Sequence, residues 1–201
     1  MSFAANLAAL ARRVVGTAAN NLLALDGAGK LPAVDGSQLT GLPAPLVRGA
    51  TIATTSGTAI DFVGIPSTAR KITLALKGVT TSASSAQIIL QLGAGAVVAT
   101  GYAGVMMHAG GANSSGGIYT VTTGFAVTWE DVAQAATGIC TLINRTGNEW
   151  VLSSLLAENG KAYVACAGGS KDLAGVLDRI RITTTGGTNT FTAGSITIFW
   201  E

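Results

Sequence analysis

Lys71-Ile72-Thr73-Leu74-Ala75-Leu76-Lys77 alternates strictly, with isoleucine and leucine at the even positions and lysine, threonine and alanine at the odd ones. In an extended chain successive side chains point to opposite faces, so Ile72, Leu74 and Leu76 share one apolar face while Lys71 and Lys77 meet water. A helix would scatter the same residues around its axis. Arg179-Ile180-Arg181-Ile182-Thr183 repeats the pattern, with Ile180 and Ile182 inward. Both segments predict strands buried on one face.

Outward from these two, Thr-, Val- and Ile-rich runs recur between clusters of Gly, Ser and Asn. They predict strands near 47–54, 58–63, 70–78, 86–92, 96–103, 118–128, 137–145, 149–157, 162–167, 178–185 and 194–200. The composition agrees: 27 glycines and 25 threonines outnumber the 22 charged residues, and helix formers such as Glu and Lys are scarce. Because βαβ spacing is missing, the strands should pair antiparallel. Eight to eleven of them close most economically as a jelly-roll-like sandwich. The expectation is one all-β domain over residues 47–201.

The first 46 residues read differently. Phe3, Leu7, Leu10 and Val14 are spaced four, three and four, which is the seam of a short coiled coil, and they predict a helix within residues 1–16. Two heptads are too few to hold a lone helix in water, so it should pack on copies of itself, on a host protein or on the chain's own β-domain. Residues 17–46 carry Asp26-Gly27, Pro32, Asp35-Gly36, Pro43 and Pro45 between single apolar positions, among them Leu25, Leu31, Val34, Leu39 and Leu42. Such punctuation forbids a regular helix or a long strand. A monomer could not bury leucines spaced this way, whereas three parallel copies wrapped about one axis could. The reading is an extended, trimeric stem.

Composition also bounds the partners. Net charge is only +2, and the basic residues are scattered singly, so neither a phosphate backbone nor an anionic bilayer finds a matching run. No stretch approaches the ~18 apolar residues of a membrane span, and Arg12 and Arg13 follow the first apolar residues rather than precede them as in a secretory signal. The chain is expected to be made in a cytoplasm, with Cys140 and Cys166 as buried free thiols. Mean hydropathy of +0.48 is high for so few charges, and oligomerisation would hide the excess.

A search for catalytic sets finds little. His108 is the single histidine, in a Gly-rich stretch with no acid adjacent in sequence, so a nucleophile-histidine device lacks its usual partners. Three copies of His108 on a trimer axis could hold a metal, although a solvated or hydrogen-bonded histidine is the simpler reading. Glu130-Asp131 is the only adjacent acidic pair, and sequence neighbours point apart. Gly93-Ala94-Gly95 and Gly110-Gly111 lack the context of a phosphate loop. No cofactor and no enzymatic activity are expected. Trp129, Trp150, Trp200, Tyr102, Tyr119 and Tyr163 could stack on sugars or anchor a protein, though most should be core. Residues 101–119 form the longest non-periodic stretch and read as a recognition loop, with Tyr102, His108, Asn113, Ser114, Ser115 and Tyr119 as contact candidates.

Leu25-Asp26-Gly27-Ala28-Gly29-Lys30-Leu31-Pro32-Ala33-Val34-Asp35-Gly36-Ser37-Gln38-Leu39-Thr40-Gly41-Leu42-Pro43 resembles a stem element of tail-fibre and related virion proteins of tailed bacteriophages. Arg48-Gly49, the run from Thr58 to Pro66, Arg70 to Thr73, and the run from Arg181 to Ile196 are similar to a domain found behind such stems. The resemblance covers residues 22–201. It implies a homotrimeric, non-enzymatic virion appendage, attached to other virion proteins by its N-terminus and presenting its sandwich to a host-surface saccharide or protein. A purely structural role, as head fibre, decoration protein, or tail connector or baseplate protein, is the alternative.

Overall fold

The computed structural model of the chain describes residues 45–82, 86–110, 116–130, 135–160 and 162–201. The predicted helix with Phe3, Leu7, Leu10 and Val14, and the stem with Leu25, Leu31, Val34, Leu39 and Leu42, lie outside them. Among the described residues every regular element is a strand: β1 (Val47–Ala53), β2 (Ala59–Val63), β3 (Lys71–Thr81), β4 (Ala86–Ala94), β5 (Ala96–Val97), β6 (Ala103–Gly110), β7 (Gly117–Tyr119), β8 (Phe125–Glu130), β9 (Ala135–Thr146), β10 (Glu149–Asn159), β11 (Tyr163–Asp172), β12 (Arg179–Thr184) and β13 (Phe191–Trp200). They form two antiparallel sheets. The larger runs β1-β13-β3-β9-β10-β11-β6-β7, and the smaller runs β2-β12-β4-β5 with β8 also paired to β4.

The alternation that predicted the strands also builds the core. Ile72 and Leu74 of β3, Leu142 of β9, Leu152 and Leu156 of β10 and Ile196 of β13 point inward from the larger sheet. They meet Ile88, Leu90 and Leu92 of β4 and Ile180 and Ile182 of β12 in one continuous cluster. Each leucine or isoleucine so buried contributes about 1.5–3 kcal/mol relative to exposure. The outward positions of β12 are tied differently. Arg181 lies directly across from Asp61 of β2, and its guanidinium holds that carboxylate through two hydrogen bonds of 2.7 Å.

Strand directions give the domain two distinct ends. The chain enters at Val47, which pairs with Trp200. At that end lie Lys71, the 147–148 turn between β9 and β10, Asp172 and Arg179. At the opposite end β1 turns into β2 and β12 into β13. The described residues flanking 83–85, 111–115, 131–134 and 161 are at that end too.

Four sequence expectations need correction. The predicted strand 96–103 is the two-residue β5 followed by an irregular connection to β6. The predicted strand 118–128 is two strands, β7 and β8, divided by residues 120–124. Most of the expected loop 101–119 is strand, because β6 runs between β11 and β7 with Ala165 opposite His108 and Gly117 opposite it on the other side. Met, His and Gly carry little strand propensity of their own, and partners on both edges supply the pairing that propensity does not. Cys140 and Cys166 are both free, but only Cys140 is in the core; Cys166 is half-buried on the other face of the larger sheet.

Candidate functional site

At the loop end, the inward face of the larger sheet changes from leucine to charge. Along β10 the buried positions are Trp150, Leu152, Ser154, Leu156 and then Glu158, whose residue is 1% exposed. A buried carboxylate requires hydrogen bonds, and Glu158 takes them from the strand lying over it. Its Oε1 accepts from the Thr128 hydroxyl and, at 3.0 Å, from the Trp129 amide of β8. Its Oε2 faces Nδ1 of His108, 3.6 Å away, and these two atoms are buried without a closer hydrogen-bonding partner.

His108 sits in an aromatic enclosure. Tyr163 of β11, Tyr119 of β7 and Trp129 of β8 have ring centroids 5.1, 5.5 and 6.1 Å from the imidazole, and Tyr119 and Trp129 lie 4.5 Å from one another. The Tyr119 hydroxyl is 3.5 Å from His108 Nε2. His108 itself is buried, whereas Tyr119, Trp129 and Tyr163 are half-buried. Five strands thus bring three partly open aromatic faces together over a buried His-Glu pair. Rings of this kind offer flat apolar area and a polar edge at little entropic cost, which suits stacking on a sugar ring or gripping a protein side chain.

The contact candidates read from the sequence divide. Tyr119 and His108 belong to this cluster. Tyr102 does not: it lies towards the opposite end, buried among Leu92, Val98 and Phe125, with its ring edge-on to Phe125 at 4.9 Å. A side chain 4% exposed is core, which corrects its reading as a surface contact. Asn113, Ser114 and Ser115 lie outside the described residues. His108 has no acid adjacent in sequence, but the fold places one beside it, Glu158 from a strand 50 residues away, and buries the imidazole rather than leaving it in an open loop. Among the described residues no group of three or more His, Cys, Asp and Glu side chains is arranged to hold a metal ion.

Glu158 escaped the reading of the sequence, although a signal was present. Leu152, Ser154, Leu156 and Glu158 share one parity, and a charge at a core parity must be either paired or functional. Trp129 and Tyr163 are legible only as aromatic residues, since nothing local says that β8 and β11 converge. Comparison with known proteins adds no assignment: no protein-family model matches the chain, and no curated protein or solved structure matches it either.

Proposed function

We propose that this chain is a fibre-like, homotrimeric structural subunit of a bacteriophage virion. Its N-terminal segment holds other virion proteins, and its jelly-roll-like sandwich binds a host-surface saccharide or protein. The observation that carries this reading is the polarity of the domain. The chain enters at the Val47 end, and the partly open rings of Tyr119, Trp129 and Tyr163 gather near the other. An appendage needs that separation between its attached end and its contact end. The stem motif at residues 25–43 supports the same reading through its resemblance to phage fibre stems. Weak single contacts suffice when three copies act together.

The test uses particles carrying Tyr119→Ala or Trp129→Ala. Loss of one aromatic anchor costs about 1–2 kcal/mol, so adsorption to host cells should slow by roughly five- to thirtyfold while particle yield is unchanged. If particle yield falls and adsorption per particle is normal, the chain is a purely structural component such as a head fibre, decoration protein or connector. Unchanged yield and unchanged adsorption would remove the cluster from host contact.

A further inference from the structure

The larger sheet has a second face, turned away from the core, and it is apolar as well. Register places Ala75, Ile139, Leu155, Cys166, Met107 and Ile118 in one row across β3, β9, β10, β11, β6 and β7. Leu155 is 62% exposed and Ile118 73%. Neighbouring rows add Val105, Ile143, Val151 and Val164, all exposed. Ordinary surface hydrophobics are scattered singly, and a contiguous field of this kind marks a surface that something covers.

We infer that this outer face, centred on Ile139 and Leu155, is an interface between copies of the chain. Charge is the first argument. From the Val151 row to the loop end, the outward positions of β9, β10, β11 and β6 carry no charged side chain among the described residues. Arg145, Glu149 and Asp172 lie beyond one margin, and Lys71 and Lys77 flank it on β3. An apolar centre with charge at the rim is the anatomy of a protein interface. A face without charge can also meet its own copy with no like charges opposed, whereas a charged partner would find nothing there to pair with.

Size is the second argument. Four strands ~4.8 Å apart, with up to five outward positions each at a repeat of ~6.8 Å, cover about 600 Å² in projection. Side-chain relief raises this towards the ~800 Å² per partner of a standard stable interface. Shape adds a third. Between β9 and β10 a groove of about 430 Å³, lined by Gly138, Ile139, Thr141, Ser153 and Leu155, is open to receive a side chain from the facing copy. That the copies number three rests on the trimer proposed above; that they meet through this face does not.

Cys166 reports directly on the question, because it lies in the central row while Cys140 is fully buried. The experiment measures, on the full-length chain, mass by light scattering and the rate of Cys166 alkylation by a small maleimide. The same measurements are made on Leu155→Glu and Thr141→Arg variants, whose fold is checked by circular dichroism. The expected result is an oligomer in which Cys166 reacts at least ten times more slowly than in folded variants. An oligomer whose Cys166 reacts as fast as in the variants overturns this interface and leaves a trimer held by the stem standing. A monomer with a fast Cys166 overturns both. A monomer with a protected Cys166 overturns the interface by making residues 1–44 of the same chain the cover.

Discussion

The hydroxyl of Tyr102 accepts a hydrogen bond from the Leu92 amide at 2.6 Å and donates one to the Val98 carbonyl at 2.8 Å, clipping the start of β6 to the end of β4. Tyr102→Phe strands a buried amide and should cost about 1–3 kcal/mol, measured by urea unfolding. Burial pushes this phenol up to about 12 from 10.0, and burial likewise pushes the Cys140 thiol up to about 12 from 9.0. Both acids are neutral in the fold, and the unfolded chain loses their protons first as pH rises. Their stabilising contribution is therefore complete below pH 9 and falls from there as unfolded Cys140 ionises. The fall steepens above pH 10 when Tyr102 joins, and it ends near pH 12. Each group contributes about 1.4 kcal/mol per pH unit within its window. Urea midpoints between pH 8 and 11 should show this two-stage loss, and Cys140→Ala should abolish the earlier stage. A flat profile across that range would contradict the burial of both groups.

Among the elements, β8 depends most on a single side chain. Glu158 reaches from β10 to the Thr128 hydroxyl and the Trp129 amide, so Glu158→Ala takes the acceptor from the Trp129 amide and leaves the buried Thr128 hydroxyl only the Trp129 carbonyl, 3.4 Å away. The expected cost is about 2–4 kcal/mol. Amide exchange should accelerate in Phe125–Glu130 more than in β3 or β9, and uniform acceleration would place the role of Glu158 elsewhere. The pairing of β3 with β13 depends on backbone shape instead. Register slips twice near Ala193, and Gly194, at a φ of 97°, brings its Cα so close to Gly78 that an added Cβ would lie 2.4 Å from the Gly78 oxygen. Gly194→Ala should destabilise the domain by about 2–4 kcal/mol in the same unfolding assay. Most strands were legible from alternation because one buried face imposes a period of two. β6 was not legible, since Ala103–Gly110 contains one β-branched residue and its outward face is as apolar as its inward one.

At the scale of the whole molecule, β1 forms one edge of the larger sheet by pairing with β13, joining Val47 to Trp200, nearly the full length of the domain apart in sequence. Such non-local pairing predicts refolding in the millisecond-to-second range, measurable by stopped-flow tryptophan fluorescence. The proposed trimeric stem predicts that a chain bearing both Leu31→Asp and Leu39→Asp dissociates more readily, because burying like charges on a shared axis costs several kcal/mol. Unchanged thermal dissociation would reject the wrapped stem. The sequence by itself determined the all-β class, most strand positions, the inward residues of β3 and β12 and the shortage of charge. Each of these follows from periodicity or composition, which are local or summed properties of the chain. Only the tertiary structure decided that Glu158 faces His108, that Tyr102 is core while Tyr119, Trp129 and Tyr163 share one open cluster, and that Ile139, Leu155, Cys166 and Met107 form a single row. Those relations depend on which strands become neighbours and in which register, and that is set by the packing of two sheets around one core.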